Sequence, residues 1–230
     1  MVTLHHHPLC PQSRFVRLFL GEYGIDPQLI EEKPFERRQD YLLLDPAGET
    51  PLLIEDNGMV VPGAAVIAEY FDETRGLALG IHRLLPDDPA GRVEVRRLLH
   101  WFTQKFFAEV SSWLVTEKVY KRYMTRAQGG GAPDMDLVRA ARANIRYHMR
   151  YIGYLTAHRK WLAGDHLTYP DLAAAARVSV ADLLGHVPWD EDETAKLWYA
   201  RVKSRPAFRP LLADRLAGLS PAAAYADLDF

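Results

Sequence analysis

The densest group of chemically capable side chains lies near the amino terminus: His5, His6, His7 and Cys10, with Arg14 four residues beyond the only cysteine of the 230-residue chain. A thiol at the start of a helix feels the positive end of the helix dipole, which favours the thiolate. Pro11 suits the first helical position. Cys10 therefore reads either as a nucleophile, with Arg14 adding positive charge, or as a small packed residue. The histidines do not read as a metal site, because alternation along a strand turns His6 away from His5 and His7. One cysteine excludes an internal disulfide and a multi-cysteine zinc site. Gly129 to Gly131 lacks a following Lys-Ser/Thr pair and is no phosphate loop. Asp134, Asp136 and the acidic run 190–193 read as helix-start and solvated charges.

Two basic rows stand out further along. Lys118, Lys121, Arg122 and Arg126 recur at helical spacing, interleaved with Tyr120 and Tyr123. Arg139, Arg142, Arg146 and Arg150 form the second row. The chain carries a net charge of −2, but residues 1–80 hold 6 basic and 13 acidic side chains, and residues 83–160 hold 15 and 7. The rows are either solvated helix faces or a surface for an acidic partner. Trp113 and Tyr120 are either core residues or, if exposed, aromatic anchors. Nucleic acid is not expected as a partner, since the whole chain is negative and no reading motif appears.

The elements that must position these groups fall into two units. Thr3 to His6 reads as a strand and Ser13 to Tyr23 as a helix closed by Gly24. Leu29 to Lys33 reads as a second strand. Pro51 to Glu55 and Met59 to Val61 form a hairpin about Asn57-Gly58, and Ala64 to Thr74 is helical. This β-α-β-(α)-β-β-α order indicates a small α/β domain. Beyond it, Asp88-Pro89 starts a helix whose apolar pattern runs from Ala90 to about Arg126. Val138, Ala141, Ile145, Met149 and Ile152 stripe another. Thr168-x-x-Asp171 has the form of a capping box with Asp in the usual Glu place. An Ala-rich helix follows, then a helix over Glu193 to Ser204 that Arg205-Pro206 breaks. With 48% hydrophobic and 25% charged residues, global disorder is excluded. No apolar run reaches membrane-spanning length, and the first ten residues lack a signal-peptide pattern. A soluble, reduced, cytoplasmic protein without membrane insertion is expected.

The run His6-His7-Pro8-Leu9-Cys10-Pro11-Gln12-Ser13-Arg14 resembles the first strand and helix of cytosolic glutathione transferases. Gly48-Glu49-Thr50-Pro51-Leu52-Leu53 resembles that family's cis-proline turn. Leu162-Ala163-Gly164-Asp165 with Thr168-x-x-Asp171-Leu172-Ala173 resembles its carboxy-terminal capping-box helix. The three motifs keep family order and spacing over nearly the whole chain. The resemblance implies a thioredoxin-like α/β domain at residues 1–78, a linker at 79–87, an all-α domain at 88–220 and a tail at 221–230, usually in a homodimer. A narrower resemblance is carried by Glu32-Lys33-Pro34-Phe35-Glu36-Arg37-Arg38, by Trp101-Phe102 through Lys105-Phe106-Phe107, and by Glu117-Lys118-Val119-Tyr120-Lys121-Arg122. These are similar to the FtsZ-localised protein A (FzlA) family, glutathione-transferase-like division proteins. That resemblance implies binding to FtsZ filaments, control of their curvature during constriction, and a place at the division site; it does not imply transferase activity.

The family's enzymes hold the γ-glutamyl end of glutathione with an acidic residue and a serine. Aligned through Ile67-Ala68-Glu69-Tyr70, those positions fall on Gly63 and Ala64, which offer no side-chain hydrogen bond. The expectation is a non-catalytic regulator with no cofactor. The alternative is a thiol-type transferase using Cys10, with Thr50 and Pro51 keeping the backbone pairing to glutathione. Lys118, Lys121, Arg122, Arg126, Arg139, Arg142, Arg146 and Arg150 are the candidate partner contacts. Asp227, Asp229 and Phe230 join them through a tail that either docks on its own body or presents an acidic-apolar peptide to other division proteins. Deleting residues 221–230 is expected to leave the melting temperature nearly unchanged.

Overall fold

The structure, a computed structural model, describes residues 1–228. Its first unit is a four-stranded sheet in the order β2-β1-β3-β4, built from β1 (Thr3–His6), β2 (Gln28–Glu31), β3 (Leu52–Ile54) and β4 (Val60–Pro62). Helix α1 (Pro11–Glu22) makes the crossover that sets β2 parallel to β1, while β3 and β4 run antiparallel. A short α2 (Gln39–Leu44) precedes the cis Thr50–Pro51 peptide, and α3 (Ala64–Arg75) closes the unit. Gly63 precedes α3 at φ 83°, a left-handed backbone that favours glycine.

A helical unit follows: α4 (Pro89–His100), α5 (Ser112–Lys118), α6 (Met135–Ala157), α7 (Tyr169–Leu183), α8 (Glu193–Lys203) and α9 (Arg209–Leu212). Asp88 caps α4 by accepting from Gly91 N, with Pro89 at the first position. Asp134 caps α6, and the Asp192 carboxylate caps α8. The Thr168–Asp171 capping box is formed. Asp171 lies fully inside, where its oxygens accept from Leu162 N, Trp198 Nε1 and Thr168 N at 2.9, 2.9 and 3.1 Å. Every residue of α7 is buried, as its run of alanines allows close approach on all sides. Helix α1 packs along α7, and one apolar core runs from Leu4, Phe15 and Phe19 through Phe71 and Tyr169 to Trp198.

Two expectations about the helices require correction. The long helix from Ala90 to Arg126 is not continuous. After α4, Trp101–Ser111 is π-helical, and the α-helix then stops at Lys118. Thr103 and Ser112 hydroxyls donate to the Leu99 and Ala108 carbonyls, local bonds that bend a helix. Residues 213–220 carry no helix, only the Leu216–Leu219 bridge.

Of the two readings of the tail, the structure shows the one in which it docks on its own body. Ala222 N donates to Leu183 O at 2.8 Å, and Tyr225 is 1% exposed among Leu9, Val180 and Leu183. Its hydroxyl accepts from Arg14 Nη1 at 2.9 Å and donates to Leu211 O at 3.1 Å. The tail through Tyr225 is therefore part of the packed body. Asp227 and Leu228 beyond it are exposed, and Asp229 and Phe230 lie outside the described residues.

Candidate functional site

Cys10 is the residue before α1, extended in backbone, with its carbonyl accepting from Arg14 N. It lines a cleft of about 210 Å³ between the sheet unit and the helical unit, with Gln12, Thr50, Phe107, Val115 and Tyr120. The thiol is 5% exposed and lies 3.4 Å from Thr50 O and 3.5 Å from Gln12 Oε1. Thr50 Oγ1 is covered and unpartnered. Tyr120 packs edge-on to His7 at 5.1 Å and against Phe35 at 5.5 Å. It is thus a cleft wall and not an exposed anchor, and burial raises its phenol well above the ordinary range.

Arg14 does not serve Cys10. It is fully buried and turned toward the helical unit, where it bonds Pro8 O, Ser179 Oγ, Tyr225 Oη and Asp214 Oδ2 at 2.7, 2.8, 2.9 and 3.1 Å. With Leu211 O at 3.5 Å as a fifth, these acceptors satisfy a guanidinium that burial would otherwise penalise. The buried cation near Cys10 is instead Arg177, 1% exposed, whose Nη1 donates to Ala173 O while Nε and Nη2 have no partner. Burial pulls it down to about 10, with the Cys10 charge acting in the opposite direction. A lone arginine inside an alanine-rich helix was the sequence signal for this group.

The histidines diverge. His5 packs against Tyr41 at 5.5 Å, and His7 Nδ1 accepts from Leu9 N. Burial first, then neighbouring arginines, pulls His6 to about 3 and His7 to about 4. Among the described residues, no group of three or more His, Cys, Asp or Glu is placed to hold a metal ion. No described helix is long and apolar enough to cross a membrane.

The two basic rows separate. Because the helix ends at Lys118, Lys118, Lys121, Arg122 and Arg126 do not share a face. Lys121 bonds the buried Glu117 at 2.5 Å, and that carboxylate also accepts from Asp134 N. Arg122 reaches Gly218 O, and Arg126 stands in a separate turn, Arg126–Gln128, capped by Thr125. Lys121 and Arg122 are thus used to fasten their own loops. Arg139, Arg142, Arg146 and Arg150, in contrast, lie along one exposed flank of α6. Trp113 is half-buried against the core. Periodicity gave no warning of His186, which shares a surface groove with Arg139, Arg142 and Arg146.

A parallel-antiparallel sheet with a thiol at a helix start beside a cis-proline, joined to an all-helical unit, defines a glutathione-transferase fold. Residues 4–78 match the glutathione S-transferase N-terminal domain family. FtsZ-localized protein A of Caulobacter vibrioides is 44% identical over 99% of this chain and 98% of its own. The structure of a glutathione S-transferase from Sinorhizobium meliloti 1021 superposes with a TM-score of 0.97 at 53% identity, covering 100% of both chains. That of FzlA from C. crescentus gives 0.92 at 44%, covering 100% of this chain and 99% of the other. Within the glutathione S-transferase superfamily, the chain belongs to the FtsZ-localized protein A family.

Proposed function

We propose that this protein is a non-catalytic, glutathione-transferase-like regulator of cell division that binds FtsZ filaments and affects their curvature during constriction. The observation that carries the proposal is the 44% identity, over 99% of the chain, to a protein named for its localisation with FtsZ. Gly63 and Ala64 support the non-catalytic part. Neither has a side chain that can bond the γ-glutamyl end of glutathione, and each lost bond to a charged group costs about 1.5–3 kcal/mol. The protein acts in the cytoplasm at the division site as a homodimer. Two equivalent sites related by a two-fold axis bridge or bend a polymer without any further contact type. The arginine row on α6 is the favoured contact surface, and exposed Asp227 remains available to other division proteins.

One observation favours a second reading. Cys10 lines an open cleft beside the carbonyl of Thr50 and the cis Pro51, the place where a thiol-type transferase would bind glutathione. Co-sedimentation with GTP-assembled FtsZ and calorimetric titration with glutathione separate the two. Co-sedimentation without glutathione heat is expected. Glutathione binding without co-sedimentation would overturn the division role and return Cys10 to catalysis.

A further inference from the structure

Arg139, Arg142 and Arg146 form one wall of a groove of about 320 Å³; Gly185, His186, Val187 and Pro188 form the other, and no carboxylate is among the lining residues. Among the described residues Arg142 has no ion-pair partner. On the opposite wall, His186 is partly buried with both ring nitrogens covered and without a hydrogen-bond partner. Burial, then Lys118 and Arg142, pulls this ring to about 4, so it is neutral near pH 7 and carries one N–H donor. Buried polar groups in folded proteins are nearly always satisfied. An exposed cation without an ion-pair partner, in a groove whose lining holds no carboxylate, marks a place that a bound acceptor completes.

We propose that this groove receives an extended acidic peptide from a partner protein, with Arg142 as the central contact and Glu191 as an internal stand-in for the peptide's carboxylates. The spacing selects a chain over a small anion. At about 1.5 Å rise per residue, Arg142 and Arg146 in the groove and Arg150 beyond its end stand about 6 Å apart along α6. Alternate side chains on an extended peptide stand about 6.6 Å apart. Carboxylates at every second position therefore meet the three guanidinia in turn, whereas a free oxyanion meets one. Glu191, in the turn Trp189–Glu191, already shows this chemistry: its carboxylate lies 2.6 Å from Arg146 Nε and 3.9 Å from Arg150 Nη2. Arg146 and Arg150 side chains are 53% and 70% exposed in these pairs. Exposed pairs of this kind are weak and exchangeable. The inference deepens the partner-binding reading and rests on it for the partner's identity alone.

The test uses the full-length protein and a fluorescent peptide of alternating glutamate and alanine, followed by anisotropy at low salt. Saturable binding is expected. R142A should weaken it roughly tenfold to hundredfold, as loss of a charged hydrogen bond does. E191Q should tighten it by about two- to fivefold, the size of a weak exposed pair. R209A, on an exposed position of α9 outside the groove, should leave it unchanged. Absence of binding, or equal weakening by R209A and R142A, would overturn the site. Displacement by equimolar inorganic phosphate would reassign it to small oxyanions and overturn the peptide. No FtsZ is present, so failure here and failure of co-sedimentation are separate results.

Discussion

Arg14 and Arg142 both lie on helices that the sequence marks as amphipathic, and they serve opposite ends. Arg14 is fully buried, with five acceptors on Pro8, Ser179, Leu211, Asp214 and Tyr225. It joins α1 to α7, to the Asp214 loop and to Tyr225 of the tail. Arg142 is exposed, with no carboxylate of its own. The same contrast separates the two basic rows. Lys121 and Arg122 spend their charge on Glu117 and on backbone carbonyls, whereas Arg139, Arg146 and Arg150 make exposed pairs with Asp136 and Glu191 and Arg142 makes none among the described residues. Inward cations such as Arg14 hold this fold together, whereas Arg142 keeps its charge at the surface.

The inward cations carry the largest expected effects. Arg14→Met leaves Ser179 and the Tyr225 hydroxyl without their shared donor, while Asp214 keeps Arg17; it should cost about 3 kcal/mol in denaturant unfolding, since each lost hydrogen bond to a charged group counts about 1.5–3 kcal/mol. A loss under about 1 kcal/mol would erase the distinction. Deletion of residues 221–230 removes Tyr225 from its buried seat and should cost about 3 kcal/mol, as loss of a buried aromatic does. An unchanged melting temperature would show the tail to be separable from the body.

Stability should also depend on pH. His148 is fully buried between Trp101 and Glu109; burial lowers it to about 4, and Glu109 acts in the opposite direction. Between about pH 6.5 and 4 the unfolded chain binds the proton that the folded chain refuses, so stability is lost as pH falls through that window. For His148 alone the loss is at most about 3 kcal/mol. His7 and His186, each lowered to about 4, add the same sign. Asp171, raised to about 6 by burial, gives the opposite slope below that pH, and Asp182 is raised as well. The rings prevail, so melting temperature should fall from pH 7 to 4.5, and His148→Gln should flatten the fall. A rise in stability on acidification would contradict this assignment.

Smaller effects sharpen the contrast. Glu117→Gln weakens the hold on Lys121 and on Asp134 N and should cost about 1–3 kcal/mol, while releasing Lys121 to solvent. Arg142→Ala should change stability by less than about 0.5 kcal/mol, as surface substitutions do. A destabilised R142A would place Arg142 with the inward set.

Much of this was legible in the sequence. The strand and helix order of the first unit, the Asp88 cap and the Thr168–Asp171 box all follow local rules, and the structure reproduces them. Local rules did not reveal the end of α5. No glycine or proline stands at Val119–Tyr120; the chain leaves the helix there while Tyr120 packs against His7 and Phe35, residues from the other unit. Arg14 was misread for a related reason. Spacing places it four residues from Cys10, but its direction is set by Ser179, Asp214 and Tyr225, which lie far away along the chain. The Cys10 cleft was legible as a motif, and Arg177 behind it was not used. Arg142 was legible as a member of a row, whereas its companion His186 was brought there by the turn after α7.

The central claim is that this protein meets FtsZ through its outward arginines and not through Cys10. Co-sedimentation with GTP-assembled FtsZ, run side by side for wild type, C10A and R142A, tests it most directly. The account predicts that wild type and C10A pellet equally and that R142A remains largely in the supernatant. Loss of pelleting by C10A with retention by R142A would contradict it.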